Sequence, residues 1–216
     1  MSGRFLVWGA GGHGRVVADL LRILGHDVVG FADRRGGDGQ FLTSGTGGRL
    51  PIVSEDEVGP GPLPLGATAV ALGIGDNRVR LSNYERVKGH HACPGIVHPA
   101  AVLAPDVTPG DGAVVLAGAV VNVDAEIGAA AIVNTGSVIE HEVRLGLAVH
   151  VSPGAVVCGA SELGDLVWIG AGATVIPKRR IGAGAVVGAG SVAIRDVPAG
   201  AVVAGCPARP LEGRPR

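Results

Sequence analysis

An aliphatic residue recurs at every sixth position through the C-terminal part of this 216-residue chain. The series runs from Val97 to Val187, and Pro109 is its single interruption. A second row of small or β-branched residues follows four positions after each member, and Arg179 alone breaks it. A period of six fits neither an α-helix nor an isolated strand, whereas hexapeptide repeats are typical of parallel β-solenoids.

Glycine adds a longer period to the same region. It directly follows the aliphatic residue at positions 18 residues apart: Gly110, Gly128, Gly146, Gly164 and Gly182. Three hexads therefore form one repeat, which predicts a three-sided coil of three short strands. Residues 96–194 would form about five coils, and stacking at about 4.8 Å gives a prism about 25 Å tall. The tail, residues 195–216, leaves this register, and its four prolines predict an irregular cap.

Composition limits both the core and the partners. Apolar residues make up 47% of the chain but aromatic residues only 3%, so the core must consist of thin layers of Val, Ile, Leu and Ala. The net charge of −1 gives no basis for binding nucleic acid or an anionic membrane. Three cysteines without CxxC spacing argue against a disulfide framework or a zinc knuckle. Because we find neither a leader sequence nor a run of 18 apolar residues, we expect a cytoplasmic protein without membrane insertion.

Residues 1–95 predict a small Rossmann-like α/β domain that begins with a β-α-β unit. The predicted elements are strands at 5–8, 27–33, 51–53 and 67–72, and helices at 16–24 and 77–87. The strands are apolar enough to be buried in a parallel sheet. Residues 35–49 are rich in Gly, Ser and Thr, and they predict a flexible surface loop.

A GxGxxG motif, Gly9, Gly11 and Gly14, lies between the first predicted strand and helix. Asp33 follows the last glycine by 19 residues, at the end of the next strand, as in dinucleotide-binding domains. The motif therefore predicts binding of a nucleotide diphosphate on the helix N-terminus, and a tight turn without a ligand is the alternative. The domain is too small for both halves of a dehydrogenase. His13, inside the turn, either donates to a phosphate or caps the helix.

A second glycine turn, residues 73–78, follows the strand at 67–72 and precedes the second helix. It lies at the carboxyl edge of the same predicted sheet, where open α/β sheets bind their ligands. Gly75 is therefore a candidate for substrate binding. The alternative is that Asp76 or Asn77 only caps the following helix.

His141 stands between Glu140 and Glu142, outside both inward rows of the repeat. A carboxylate can orient an imidazole and stabilise its protonated form, so His141 is a candidate general base, and a solvated surface histidine is the alternative. His150 occupies another outward position nine residues later. His98 lies two coils before His141, which is poor spacing for a three-histidine zinc site, so we predict no metal.

Lys178, Arg179 and Arg180 form the one tight basic cluster of the repeat. Because Arg179 occupies the second inward row, we expect the cluster to bulge outwards. It could bind a phosphate-rich ligand, and a solvated corner is the alternative.

Four segments together resemble one protein family. They are residues 8–14, WGAGGHG; residues 133–142, VNTGSVIEHE; residues 150–155, HVSPGA; and residues 205–209, GCPAR. In this order they resemble the bacterial sialic-acid O-acetyltransferases and nucleotide-amino-sugar N-acetyltransferases, which are hexapeptide-repeat acyltransferases. The resemblance implies a left-handed parallel β-helix and a homotrimer. It also implies acetyl-CoA in the groove between neighbouring β-helices and a nucleotide-linked amino sugar on the N-terminal domain.

The resemblance also implies roles for individual residues. His141 is the expected base, Glu142 its support, and Asn134 a residue that arranges the site. His150 and the N–H of Gly159 match family positions near the acetyl group, and Lys178, Arg180 and Ala189 are further residues that we expect to contact acetyl-CoA. Gly12, His13, Asp33 and Arg34 match the family's nucleotide-sugar site, and the two glycine turns add Gly11 and Gly75 to the residues expected to bind this substrate. The loop at 35–49 is longer than the family pattern, which leaves uracil and guanine as alternative bases.

The predicted reaction is direct attack of a sugar amine, at C4, on the thioester of acetyl-CoA. His141 would remove the proton, and a backbone N–H, that of Gly159, would stabilise the oxyanion. Three alternatives remain at this stage. They are O-acetylation of a sialic-acid-type sugar, a metal-dependent β-helix hydratase, and a non-catalytic protein that senses or assembles around a nucleotide sugar.

Overall fold

The computed structural model describes residues 2–36, 40–43 and 48–211. The N-terminal sheet contains β1 Arg4–Trp8, β2 Asp27–Asp33, β3 Phe41–Thr43, β4 Arg49–Ser54 and β5 Ala69–Leu72. The two α-helices are α1 Gly12–Ile23 and α2 Asn77–Val87, and short 3₁₀ turns cover Glu55–Glu57 and Pro64–Gly66. The strand order is β3-β4-β2-β1-β5, and every neighbouring pair is parallel except β3 with β4. The carboxyl ends of β1, β2 and β5 therefore meet at one edge.

Alternation along β1 places one helix on each face of this sheet. Phe5 and Val7 belong to the same buried cluster as Val17 and Leu21 of α1. Leu6 and Trp8 point to the other face, where they share a cluster with Tyr84 and Val87 of α2. Residues of the β-helix complete both clusters, so the N-terminal domain and the β-helix pack directly against each other.

The prediction that residues 35–49 form a flexible loop was wrong in part. Phe41–Thr43 is a strand, and it pairs antiparallel with Arg49, Leu50 and Pro51 of β4. The polar composition concealed this hairpin because only Phe41 and Leu42 are apolar there. Residues 37–39 and 44–47 of the predicted loop lie outside the described residues. The first helix also begins at Gly12, inside the glycine turn, rather than at residue 16.

The β-helix has three faces of short parallel strands. The first face contains β6 Ile96–Val97, β8 Val114–Val115, β11 Ile132–Val133, β14 His150–Val151, β17 Trp168–Ile169, β20 Val186–Val187 and β22 Val202–Ala204. The second contains β7 Val102–Leu103, β9 Val120–Val121, β12 Val138–Ile139, β15 Val156–Val157, β18 Thr174–Val175 and β21 Val192–Ala193. The third contains β10 Glu126–Ile127, β13 Arg144–Leu145, β16 Glu162–Leu163 and β19 Arg180–Ile181. Residues 18 apart pair with each other, as Ile132 does with His150.

The hexapeptide rows explain this architecture. Both rows point inwards and form one continuous aliphatic core that runs through the prism. Pro109, the one break in the first row, falls where the first coil would supply a strand to the third face, and Thr108–Pro109 forms none. Proline has no N–H to donate to a ladder, so the interruption in sequence becomes an interruption in the face.

The C-terminal tail, for which the sequence predicts an irregular cap, contains two short strands. β22 continues the first face in parallel with β20, and β23 Arg209–Pro210 adds an antiparallel strand. Val186 pairs with Val202, so the last step spans 16 residues rather than 18, and counting hexads therefore missed it. Val197 and Val203 still enter the core.

The fold class predicted from the sequence is confirmed: a Rossmann-like β-α-β domain is followed by a left-handed parallel β-helix. Within the described ranges, neither α-helix has the length and apolar character needed to cross a membrane.

Candidate active site

The carboxyl edge of the N-terminal sheet carries the glycine turn and Asp33. The Asp33 carboxylate holds this turn, because Oδ2 accepts from the N–H of Ala10 at 3.0 Å and Oδ1 accepts from the N–H of Arg35 at 3.2 Å. A cleft of about 500 Å³ lies along the edge and is lined by Trp8, Gly9, Ala32, Asp33, Arg34, Arg35, Glu55, Ile74, Asp76 and Val79. The exposed Arg34 side chain lies 3.8 Å from the Glu55 carboxylate at the rim.

The glycines of the turn fall into two groups according to their surroundings. A Cβ at Gly14 would clash with the carbonyl oxygen of Gly9, and a Cβ at Gly9, whose φ is +114°, would lie 2.6 Å from that of Gly73. By contrast, a Cβ at Gly11 or Gly12 would meet nothing within 4 Å. α1 starts there without a side-chain cap and without an acidic residue in its first turn. Its N-terminal N–H groups are thus available to an anion such as a diphosphate.

His13 lies in the first turn of α1 and points towards the β-helix. Its Nε2 is buried and has no hydrogen-bond partner among the described residues. Burial, helped by the positive charge of Arg80, lowers the pKa of His13 from 6.5 to about 4. Its ring centroid lies 6.5 Å from that of His150. The two neutral imidazoles therefore stand on either side of the junction between the domains.

His150, on β14, is held in one orientation by its neighbours. Asn134 Oδ1 accepts from the N–H of Thr135 at 2.8 Å, which turns Nδ2 of Asn134 towards His150 Nε2 at 3.1 Å. Burial, together with the charge of Arg80, lowers the pKa of His150 to about 4, although the backbone of Gly75 favours the protonated imidazole and so acts to raise this pKa. The imidazole is therefore neutral at physiological pH, with Nε2 as an acceptor.

Trp168 was missed by the sequence analysis. Its ring lies one coil beyond His150, nearly parallel to the imidazole at an interplanar angle of 15° and a centroid distance of 6.3 Å. Its Nε1 donates to Ser152 Oγ at 2.9 Å, and 48% of the residue is exposed. The exposed part faces a cleft of about 460 Å³, called here the interdomain cleft, lined by Gly75, Asp76, Asn77, Arg78, His150, Leu166, Trp168, Gly184 and Val186.

Arg80 and Asn77 of α2 attach the N-terminal domain to the β-helix, and sequence reasoning missed both contacts. Arg80, fully buried, donates from Nε to the carbonyl of Ala130 at 2.7 Å and from Nη2 to that of Ala148 at 2.8 Å. Asn77 donates to the carbonyl of Leu166 at 3.0 Å. These three carbonyls are 18 residues apart, so the two side chains bind three successive coils.

His141, Glu142 and Gly159 form the histidine corner, where the second face turns into the third. His141 Nδ1 lies 3.0 Å from Glu142 Oε2, and the two side chains are 55% and 61% exposed. A Cβ at Gly159, one coil further, would lie 2.5 Å from His141 Nε2, so the imidazole rests against the glycine. Among the described residues, the N–H of Gly159 has no hydrogen-bond acceptor.

The residues predicted to contact acetyl-CoA lie at different places on the β-helix. The N–H of Lys178 donates to the carbonyl of Gly159 at 2.9 Å, which places Lys178 at the histidine corner one coil on. Arg180 lies on the third face, where its Nε is 3.3 Å from the carboxylate of Glu162. Ala189 is exposed at the turn after β20, between the first and second faces. Arg179 of the basic cluster is turned towards Asp196, at 3.6 Å.

The residues predicted for the site therefore fall into two halves, which lie apart within one chain. Asn134, His150 and the nucleotide cleft lie on and beside the first face, whereas the histidine corner lies at the far end of the third face. A side of about six residues, at about 3.3 Å each, separates such corners by up to about 20 Å. No hydrogen bond or ring contact within residues 2–36, 40–43 and 48–211 joins the halves. In the same ranges, no group of three His, Cys, Asp or Glu residues could hold a metal ion.

Comparison with known proteins gives a consistent result over the whole chain. The family profile of the PglD N-terminal domain matches residues 4–87. A histidine variant of perosamine N-acetyltransferase from Caulobacter crescentus, solved with CoA and GDP-perosamine, is 34% identical over 98% of each chain, with a TM-score of 0.88. The acetyltransferase domain of PglB from Neisseria gonorrhoeae, solved with acetyl coenzyme A, is 33% identical over 98% of this chain and 100% of that one, with a TM-score of 0.84.

A third similar structure is WeeI from Acinetobacter baumannii, which is 29% identical over 96% of this chain and 99% of that one, with a TM-score of 0.80. No curated protein sequence gives a significant match. The agreement in sequence and fold with perosamine N-acetyltransferase and PglB covers nearly the full length of the chain. The chain therefore belongs to the family of hexapeptide-repeat acetyltransferases that act on nucleotide-linked amino sugars.

Proposed function

We propose that this protein transfers the acetyl group of acetyl-CoA to an amino group, at C4, of a nucleotide-linked amino sugar. The observation that carries the proposal is the histidine corner, where an imidazole paired with a carboxylate lies against a glycine whose N–H has no acceptor in the described part of the chain. Support comes from perosamine N-acetyltransferase and PglB, solved with CoA and GDP-perosamine and with acetyl coenzyme A respectively.

The protonation pattern of His141 follows from its partner. An ionised carboxylate can only accept hydrogen bonds, so Glu142 requires the proton of the neutral imidazole to be on Nδ1. Nε2 then carries the free lone pair and faces Gly159. In the proposed reaction, Nε2 removes a proton from the attacking amine, and the Glu142 carboxylate stabilises the imidazolium that forms. The N–H of Gly159 donates to the oxyanion of the tetrahedral intermediate, which collapses to release the CoA thiolate.

The N-terminal domain is proposed to hold the nucleotide sugar. The open N–H groups at Gly11 and Gly12 suit the diphosphate, with Asp33 and Arg34 at the nucleoside end of the cleft. The unpaired Nε2 of His13 can bond either the diphosphate or the sugar. Gly75 faces open space at the interdomain cleft, which suits close approach of the sugar to the backbone.

We further propose a homotrimer in which each active site is shared between two subunits. The support is the separation of the two halves: His141, Glu142, Gly159 and Lys178 at one corner, and His150, Ala189 and the nucleotide cleft elsewhere. A cyclic trimer would place the histidine corner of one subunit beside the first face of the next. Acetyl-CoA would then lie between β-helices, with Lys178 and Arg180 near its phosphates.

The proposed domains follow the same division of the chain. The nucleotide-sugar domain comprises residues 1–95, the acyltransferase domain residues 96–194, and the cap residues 195–216.

Thiol release from acetyl-CoA tests the reaction with a panel of UDP-, GDP- and dTDP-linked 4-amino sugars. Each amino sugar is paired with its 4-hydroxy counterpart as the matched control, which also tests O-acetylation. We expect turnover with amino sugars of one nucleotide series and no turnover with the hydroxyl partners. Turnover of hydroxy sugars or free sialic acid in place of amino sugars would contradict N-acetylation.

A cytoplasmic location is proposed because acetyl-CoA and nucleotide sugars are both supplied there.

Complementation tests the shared site. The His141→Ala and His150→Ala chains carry different affinity tags, and assemblies that contain both are isolated by sequential purification. In a cyclic trimer, each mixed assembly has one intact site, so about one third of wild-type activity returns although both parents are impaired. If both histidines acted within one chain, mixed assemblies would be no more active than the parents.

A further inference from the structure

Three carboxylates line the nucleotide cleft, and they differ in how many of their hydrogen bonds are already made. Asp33 accepts from two backbone N–H groups, and Asp76 caps α2 by accepting from the N–H of Val79 at 2.9 Å. Glu55 has only the exposed Arg34 as a charged partner among the described residues, with Arg34 Nε 3.8 Å from Glu55 Oε1. This distance is longer than a hydrogen bond. Glu55 therefore retains its capacity to accept, although its side chain is only 24% exposed.

The nucleotide cleft continues past Glu55 into a second cavity of about 380 Å³, called here the cleft extension. The two spaces share Arg34, Glu55 and Val79. The extension is further lined by residues of α2, which are Arg78, Ser82, Asn83 and Arg86. A nucleoside that enters the cleft thus has room for a two-ring base beyond the sheet edge.

The position of Glu55 beside α2 is fixed by Arg86. Nη2 of Arg86 donates to the carbonyls of Glu55 and Val58, each at 3.0 Å. Arg86 follows Asn83 by three residues, so the two lie on one face of the helix. The turn that carries Glu55 is therefore tied to the face of α2 that carries Asn83.

Asn83 contributes a group of the opposite kind to the same space. Only 4% of the residue is exposed, and its Nδ2 has no hydrogen-bond partner among the described residues. Burying a donor without an acceptor is costly, so such a group needs an explanation. A carbonyl oxygen of a ligand in the extension would supply the missing acceptor. The extension thus combines a carboxylate that can only accept with an amide that is free to donate.

The polar edge of each nucleobase decides which one complements this pair. Guanine has two adjacent donors, N1–H and the 2-amino group, so one carboxylate can accept from both, and O6 beside them is an acceptor. In uracil and thymine the single N3–H lies between two carbonyl oxygens, which a carboxylate would repel. Adenine and cytosine have an acceptor nitrogen at the equivalent place. Among the common bases, guanine alone complements both groups.

We propose that the nucleotide of the substrate is guanosine diphosphate and that Glu55 selects it by accepting from N1–H and the 2-amino group of guanine. Asn83 donates to O6 of the same base. The inference rests on the proposed function, in which the nucleotide sugar occupies this cleft. It decides between the two bases that the sequence leaves open, and it adds two residues to the substrate site.

Calorimetric titration of the wild-type protein with free GDP, IDP, ADP and UDP tests the choice of base. IDP lacks only the 2-amino group, and ADP is a purine with the wrong polar edge. A good bidentate contact to a base discriminates by about 10- to 100-fold. We therefore expect GDP to bind more tightly than UDP and ADP by about that factor, and more tightly than IDP by about tenfold. Binding of UDP or IDP as tight as that of GDP, or no detectable binding of GDP, would overturn the proposal.

Glu55→Gln tests the carboxylate, because it replaces one acceptor oxygen by a donor that faces a donor of guanine. Its affinity for GDP should fall by about 10- to 100-fold, and the preference for GDP over UDP and IDP should disappear. Asp56→Asn is the matched control: it removes the same charge from the next residue, which is exposed and lines neither space. This control should bind all four nucleotides like wild type. Equal losses in the two variants, or an unchanged preference in Glu55→Gln, would contradict a role for Glu55.

Asn83→Ala tests the amide separately. GDP and IDP both have O6, so both should lose affinity by the same factor, about tenfold, whereas binding of ADP should not change. Unequal losses for GDP and IDP would contradict a contact to O6. Fluorimetric melting without nucleotide confirms that each variant folds, and if one does not, the four wild-type titrations still decide the base.

The titrations do not depend on acetyl transfer. If no amino sugar is acetylated, the proposed function fails and the order of nucleotide affinities still stands or falls by itself. If the thiol-release panel instead shows turnover of UDP-linked in preference to GDP-linked amino sugars, the choice of guanine is wrong while acetyl transfer is upheld.

Discussion

Gly159→Ala should disable the enzyme by displacing His141. The added Cβ would lie 2.5 Å from Nε2 and 2.6 Å from Cε1 of the imidazole, whereas ordinary van der Waals contact begins at 3.4 Å. The ring must therefore move by about 0.9 Å, the difference between these distances. It can do so because the His141 side chain is 55% exposed. A displacement of about 1 Å costs about 10²-fold in rate where geometry limits the reaction, so kcat should fall by about that factor.

The same substitution should leave stability nearly unchanged. Gly159 is buried beneath the His141 imidazole, but its backbone does not have a positive φ, and the nearest atoms to an added Cβ all belong to that imidazole rather than to the aliphatic core. The exposed imidazole can move into solvent, so the free energy of unfolding should change by no more than about 0.5 kcal/mol, as it does for substitutions that leave the core intact. Thermal melting of the variant should therefore match wild type. A folded variant with low kcat identifies the imidazole, not the scaffold, as the cause.

A double-mutant cycle separates displacement of the base from any other effect of the methyl group. His141→Ala alone should lower kcat by about 10² to 10⁴-fold, the usual contribution of a general base. Adding Gly159→Ala to that variant should change little, because the ring with which the methyl group clashes is gone. The two effects should be strongly non-additive. Additive losses, or near-normal kcat in Gly159→Ala alone, would refute the geometric argument.

Three further predictions follow from the site. Glu142→Gln should lower kcat by about 10- to 100-fold with unchanged melting, since a hydrogen bond to a charged group contributes about 1.5–3 kcal/mol. Trp168 lines the interdomain cleft with Gly75, where the sugar is proposed to lie. Trp168→Ala should therefore raise KM for the nucleotide sugar more than it lowers kcat, whereas Trp168→Phe should retain most of the affinity; the reverse order would contradict a sugar in this cleft. Finally, the free energy of unfolding should fall as the pH drops from about 6.5 to 4. The pKa of both His13 and His150 is about 4 in the folded protein against 6.5 when unfolded, so the unfolded chain binds more protons in that window. Urea titrations at several pH values measure this, and His150→Gln should flatten the dependence.

The β-helix was predictable because its physics is local and repeated. Each coil buries the same two rows, so a six-residue period and glycine every 18 residues define strands, faces and core without knowledge of the rest. The prediction failed where the spacing between paired residues changes from 18 to 16, at the step from Val186 to Val202. It also failed at β3, which is a strand because β4 supplies a partner and not because of its own composition.

The residues of the candidate site likewise differ in how far the sequence alone revealed them. His141 could be found because it stands outside rows that the core requires, and Gly159 entered through the family resemblance before the structure gave its physical reason. Trp168 carried a signal that was overlooked, since it is the only Phe, Trp or Tyr in residues 96–194. Arg80 carried none. In the sequence it is one of several arginines in a helix, and its burial depends on carbonyls 50 and 68 residues away.

The repeat itself explains how one arginine can bind two coils. Ala130, Ala148 and Leu166 all have positive φ, between 51° and 62°, at equivalent turns of successive coils. Each turn presents its carbonyl towards α2, and stacked coils place these carbonyls about 4.8 Å apart. A guanidinium has donors on separate nitrogens in a rigid plane, so it can bond two neighbours on such a ladder, which a lysine cannot do with the same geometry. The periodicity that builds the core thus also builds the surface that receives the N-terminal domain, and Arg80 binds two successive coils of that surface.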